Sequence, residues 1–120
     1  MRAFFLLAAL IAESMLINSA SAQGWTYITS NKGGSRIYAR NPNCSGPICE
    51  VETIYQSGNP DHEYVYLSQI NCNTWMDRWK YKYPDQVPEI HQSKKYEWIR
   101  TWKVMSPSSV SSAVAEFVCR

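Results

Sequence analysis

Four cysteines, a histidine set between two acids, and a run of tryptophans interleaved with cations are the residues of this chain that could do chemistry. Cys44, Cys49, Cys72 and Cys119 could hold a metal or form disulfides. Zinc sites use closely spaced ligand pairs, and the two histidines, His62 and His91, are not placed to complete one. An even cysteine count in an exported chain reads instead as two disulfides. Cys44 and Cys49 flank the turn-forming Ser45-Gly46-Pro47-Ile48, so they can close a small loop. That leaves Cys72 to join Cys119 at the C-terminus. His62, between Asp61 and Glu63, has the residue types of a general acid/base site, but it sits in a breaker loop and reads as a solvated cluster. The serines from Ser106 to Ser112 read as a helix start, not as a nucleophile elbow. No glycine-rich phosphate loop and no two-spacer cysteine pair occurs. The expectation is a non-enzymatic protein with no cofactor and no metal.

The stretch from Trp75 to Lys103 offers binding chemistry. Trp75, Trp79, Trp98 and Trp102, with Tyr81, Tyr83 and Tyr96, are interleaved with Arg78, Lys80, Lys82, Lys94, Lys95, Arg100 and Lys103. Aromatics beside cations bind proteins, glycans or anionic polymers through apolar contact, cation–π pairs and charge. Arg78, Lys80, Lys82, Lys94, Lys95, Trp98, Arg100 and Lys103 are the candidate partner-binding residues. The competing reading makes the aromatics core and the lysines a solvated face, with Asp77, Asp85, Glu89 and Glu97 diluting the charge. A net charge of +2 is mild, and export removes the usual nucleic-acid targets.

Export is read from the start of the chain. Arg2 precedes an apolar run from Ala3 to Ala12, and Ala20-Ser21-Ala22 supplies small residues for a signal peptidase. Glu13 interrupts the run far short of the ~20 residues a spanning helix needs. The expected organisation is a cleaved signal peptide at 1–22 and one disulfide-stapled domain at 23–120, in the periplasm, secreted or at the cell surface. No cysteine at the cleavage point offers a lipid attachment site, so no lipid anchor is expected.

Elements follow from periodicity. Alternation predicts strands at Trp25–Thr29, Arg36–Arg40, Glu50–Tyr55 and Tyr64–Asn71, from about Arg78 to Tyr83, and at Lys95–Met105. In the last, Tyr96, Trp98, Arg100, Trp102 and Val104 would share a face. Asn31-Lys32-Gly33-Gly34 reads as a turn, and Pro84–Ser93 as a loop. Ser106 as N-cap and Pro107 as first residue would start a helix with Val110, Ala113, Val114, Phe117 and Val118 on its apolar stripe. The fold class is α+β: an antiparallel sheet of about six strands with one C-terminal helix packed on one face. The aromatics beyond the helix would need a curved sheet or a partner.

Ile70-Asn71-Cys72, the later Trp102, and Pro107 followed by Cys119 resemble the surface-adhesin protein E family of Gram-negative bacteria. The resemblance implies a small antiparallel sheet with a C-terminal helix and a disulfide between Cys72 and Cys119. It also implies binding of host matrix or serum proteins, with a homodimer as one arrangement. The chain departs from the pattern in lacking a lipid-acceptor cysteine, in carrying the Cys44–Cys49 loop, and in approaching Cys72 through Asp61, His62 and Glu63. The function expected is an adhesin-like binding protein for a protein or glycan partner. The alternatives are a periplasmic inhibitor or accessory protein, and a structural part of an envelope assembly.

Overall fold

A computed structural model describes residues 24–59 and 63–120. The expected signal peptide, with its cleavage point, and the Asp61-His62 pair lie outside the described residues. Six strands, β1 (Thr26–Ser30), β2 (Arg36–Ser45), β3 (Ile48–Gln56), β4 (Val65–Asn71), β5 (Met76–Tyr81) and β6 (Arg100–Val104), form one sheet in sequence order. Every neighbouring pair is antiparallel. Among the described residues one α-helix, α1 (Val110–Val118), follows the sheet. The α+β architecture expected from periodicity is the architecture observed.

The turns follow local chemistry. Between β1 and β2, Asn31 Oδ1 accepts from the Ser35 amide at 2.9 Å, and Gly34 takes a φ of +88° that a side chain would resist. Between β4 and β5, Asn71 Oδ1 accepts from the amides of Asn73 and Thr74, and Trp75 takes a φ of +58°. The segment after β5 is not a plain loop. It makes two 3-10 turns, Pro84–Gln86 and Glu89–Lys94, and folds back on the sheet. Gln86 Oε1 accepts from the Val65 amide, and the Tyr81 hydroxyl pairs with His91 Nδ1 at 2.9 Å.

Three expectations need correction. β2 does not stop at Asn41-Pro42-Asn43; it runs to Ser45 through a bulge, where Asn41 has φ +55° and the proline's missing N–H breaks no ladder bond. The helix starts three residues later than expected. Ser109 is the N-cap, its Oγ accepting from the Ser112 amide while donating to the Ser106 carbonyl. The apolar stripe is correspondingly rotated: Val114, Ala115 and Val118 are buried, whereas Phe117 is 36% exposed. Finally, the stretch from Lys95 is not strand until Arg100, and Tyr96 lies exposed.

The larger core lies between α1 and one face of the sheet, and a smaller cluster of Trp25, Tyr38 and Val65, with Ile54 against it, lies on the other face. Ile37, Ala39, Cys49, Val51 and Ile70 point toward Val114, Ala115 and Val118, and Met105 closes the edge. Both expected disulfides are present, Cys44–Cys49 and Cys72–Cys119. Cys44 and Cys49 are register partners at the tip of the β2–β3 hairpin. Cys72–Cys119 ties the end of α1 to the β4–β5 turn across 47 residues of sequence. The bridges are stacked, with Cys49 Sγ 3.6 Å from Cys72 Sγ. Among the described residues no helix is long and apolar enough to cross a membrane.

Candidate binding surfaces on the two faces of the sheet

The candidate partner-binding residues do not form one patch, and the reason is a bulge. Asp77 pairs with Lys103 and Trp79 with Arg100, so two steps on β5 meet three on β6. The extra residue reverses the side-chain phase of β6. Arg100 and Trp102, expected on one face, lie on opposite faces. Arg100 and Lys103 take the register positions opposite Trp79 and Asp77, on the side that carries α1. Arg78, Lys80, Lys82 and Trp98 lie on the other side. Lys94 and Lys95 stand on and just after the second 3-10 turn.

On the face away from α1 the cations are pinned. The Arg78 guanidinium lies 4.1 Å from the Trp98 ring centroid and 4.8 Å from that of Trp102. Lys80 Nζ sits 4.8 Å from the Trp98 centroid, Lys82 Nζ 5.6 Å from that of Tyr83, and Arg40 covers Trp25. Strand register supplies the counter-charges. Glu52 faces Arg40 across the β2–β3 ladder and accepts from Arg40, Lys82 and Asn41. Burial pushes the Glu52 carboxyl up, but the hydrogen bonds from Lys82, Arg40 and Asn41, with the charge of Lys82, outweigh it and hold the group below its ordinary value. One row along, Gln69 donates to Glu50 at 2.7 Å and accepts from Arg78 Nε and Nη2. The tryptophans Trp98 and Trp102 are therefore neither core nor free: they are the rails on which Arg78 is held.

The α1 face holds a site that charge patterning did not reveal. Where the helix stops covering the sheet, an open cleft of about 260 Å³ remains. Its walls are aromatic, with Tyr66 edge-to-face against both Tyr55 and Trp79 at centroid distances of 5.6 and 5.2 Å. An ion pair lies within it, Arg100 Nη2 donating to the nearly buried Asp77 carboxylate. Arg100 Nε is buried without a hydrogen-bond partner. Thr53, Ser68 and Ser111 add hydroxyls. Burial raises the phenol of Tyr66 to about 12, with neighbouring tyrosines adding to the shift, and burial likewise raises Tyr55. Both remain proton donors at any physiological pH. The signal for this cleft was present in the sequence: Thr53, Ser68 and Asp77 are polar residues in the inward phase of alternating strands. Among the described residues no group of three or more acids, histidines and cysteines could hold a metal ion.

No family model, no curated protein and no solved structure matches this chain.

Proposed function

We propose that this is an exported, non-enzymatic binding protein, adhesin-like in role, that engages a protein or glycan partner through the sheet face away from α1. One observation carries the reading. Among the described residues no helix covers that face, and Arg78, Lys80 and Lys82 are stacked on aromatic rings, Arg78 and Lys82 being fixed by hydrogen bonds as well. Ordered side chains lose little further entropy on binding, so a fixed cationic–aromatic surface binds better than a mobile one. The stacked rings add apolar area that simple charge attraction lacks. The two disulfides suit an oxidising compartment. The resemblance to surface-adhesin protein E points to the same class, with host matrix proteins or their acidic glycans as partners. Among the described residues β1 and β6 are the edge strands of the sheet, which is where a second copy would add if the protein dimerises.

The test is binding of the oxidised chain to immobilised heparin and to immobilised fibronectin at rising salt. The expected result is saturable, salt-sensitive binding to at least one, weakened about tenfold by Lys80→Glu combined with Arg78→Gln. Lys82 is left alone, because a glutamate there would face the buried Glu52 and unsettle the fold. Unchanged affinity in the double variant would return these cations to an ordinary solvated surface. Recovery of the chain from cells in tight association with one soluble periplasmic protein would favour the inhibitor reading instead.

A further inference from the structure

The cleft on the α1 face is separate from the cationic surface, and its chemistry differs. Its charged groups, Asp77 and Arg100, are paired with each other, so the cleft offers no net charge to an ion. An anion would meet the Asp77 carboxylate, and a cation the Arg100 guanidinium. What the pair does offer is an acceptor and a donor side by side. Arg100 has donor capacity left over, because its side chain is 33% exposed while Nη2 is committed to Asp77. Hydroxyls of Thr53, Ser68 and Ser111 can donate or accept. The phenols of Tyr55 and Tyr66 stay protonated. Tyr55 and Trp79, each set near a right angle to Tyr66, make an aromatic corner instead of a flat stack. The volume, about 260 Å³, falls just below the ~300 Å³ at which drug-sized sites begin, which limits the occupant to about one ring.

A neutral ring that presents a C–H face to an aromatic wall and a girdle of groups that both donate and accept is a pyranose. We propose that this cleft binds a single neutral sugar ring, free or at the end of a glycan, with Trp79 and Tyr55 against its C–H surface and Asp77 and Arg100 on neighbouring hydroxyls. A planar aromatic ligand would leave the Asp77–Arg100 pair and the hydroxyls unused. A phosphate or sulfate would be opposed by Asp77. The site does not depend on the cationic face, so the two can fail separately.

The experiment is titration of methyl glycosides of glucose, galactose and N-acetylglucosamine into the isotope-labelled, oxidised chain, followed by amide shifts. The expected result is saturable shifts at Tyr55, Tyr66, Trp79 and Ser111 with at least one glycoside. Trp79→Ala should weaken that binding about tenfold or more. Ser111→Phe enters the cleft from α1 without altering the sheet, and it should block binding even if Trp79→Ala fails to fold. Lys80→Glu should leave glycoside binding unchanged. The proposal is overturned if no glycoside gives saturable shifts at millimolar concentration, if Ser111→Phe binds as well as the parent chain, or if phenol fills the cleft and the glycosides do not.

Discussion

Ile37, Ala39, Val51 and Ile70 are sealed between the sheet and α1. On the opposite side of the same strands, Arg40, Glu52, Gln69 and Arg78 form ladders of ion pairs, hydrogen bonds and ring stacks. One side is held by apolar burial and a long-range disulfide, which salt and pH hardly touch. The other combines a small apolar cluster of Trp25, Tyr38 and Val65 with interactions that salt screens and protonation removes. The difference separates two tasks. Burial makes the domain fold; the ladders fix where its cations stand. That division can be broken by finding the energy in the wrong place.

The largest effect should come from the covered side. Replacing both Cys72 and Cys119 by serine should cost about 4 kcal/mol on chain-entropy grounds, against about 2 for Cys44 with Cys49. In a domain of this size that lowers Tm by tens of degrees for the long bridge, since each kcal/mol moves it about 4–8 °C. Thermal scans of the two double variants check this, and equal losses would contradict it. Both cysteines of a bridge must be replaced together. With Cys49 Sγ 3.6 Å from Cys72 Sγ, a lone thiol left at either position would lie within reach of the other bridge and could exchange into it.

Next comes a matched pair on neighbouring strands. Val51→Ala empties part of a fully buried position and should cost about 2–3 kcal/mol. Leu67, on β4 and half-buried on the opposite side, should cost only about 1 kcal/mol when cut to alanine. Urea unfolding of both variants decides the matter. A Leu67→Ala loss as large as that of Val51→Ala would mean that apolar burial on the outer side extends well beyond the cluster of Trp25, Tyr38 and Val65.

Much of this division could be read from the residues, and the failures are instructive. β4 was legible because β-branched and aromatic residues alternate without interruption. The turn at Gly33-Gly34 was legible because so few residues tolerate positive φ. The disulfides followed from the turn between Cys44 and Cys49 and from what remained. The helix start was misplaced because Ser106, Ser108 and Ser109 are all competent caps, and packing against the sheet chooses among them. The face of Arg100 was misassigned because a single extra residue in β6 reverses its phase, and a bulge has no composition signature there. The cleft is built from β3, β4, β5, β6 and α1, so only the register brings Tyr55, Trp79 and Arg100 together. Its trace in the sequence, polar residues where the strand phase calls for apolar ones, looks like noise until the strands are aligned.

A third effect, about 1–2 kcal/mol, belongs to Glu52→Gln, because the hydrogen bonds to the Glu52 carboxylate are charge-assisted. Its sign with pH is fixed by the lowered carboxyl. The stabilisation is present above the ordinary glutamate value near 4.5 and is lost as pH falls through the depressed folded-state value. Urea midpoints measured from neutral to strongly acid pH should therefore fall for the parent chain. In Glu52→Gln that part of the fall should vanish. If the two curves run parallel, the Arg40–Glu52–Lys82 ladder contributes nothing through its charge.

The smallest effect on stability is the sharpest probe of the division. Arg78 holds two indoles and one amide at once, and a lysine in its place keeps the charge but not the plane. Such a lysine could touch one ring at a time and could not give Gln69 two donors. At a half-exposed site the lost stacking amounts to about 1 kcal/mol or less, so Arg78→Lys should shift Tm by only a few degrees. The local consequence should be much larger. Trp98 precedes the short edge strand β6, and it has Arg78 and Lys80 on its ring. With the guanidinium gone, the Trp98 and Trp102 indoles should gain picosecond-to-nanosecond motion in NMR relaxation, while the amides of Val51 and Ile70 keep their exchange protection. A Tm loss in Arg78→Lys matching that of Val51→Ala would make the stacked cations part of the fold's foundation. A small loss with rigid indoles would mean that the rings, not the arginine, set the order of this surface, and the fixed cations would then be its consequence.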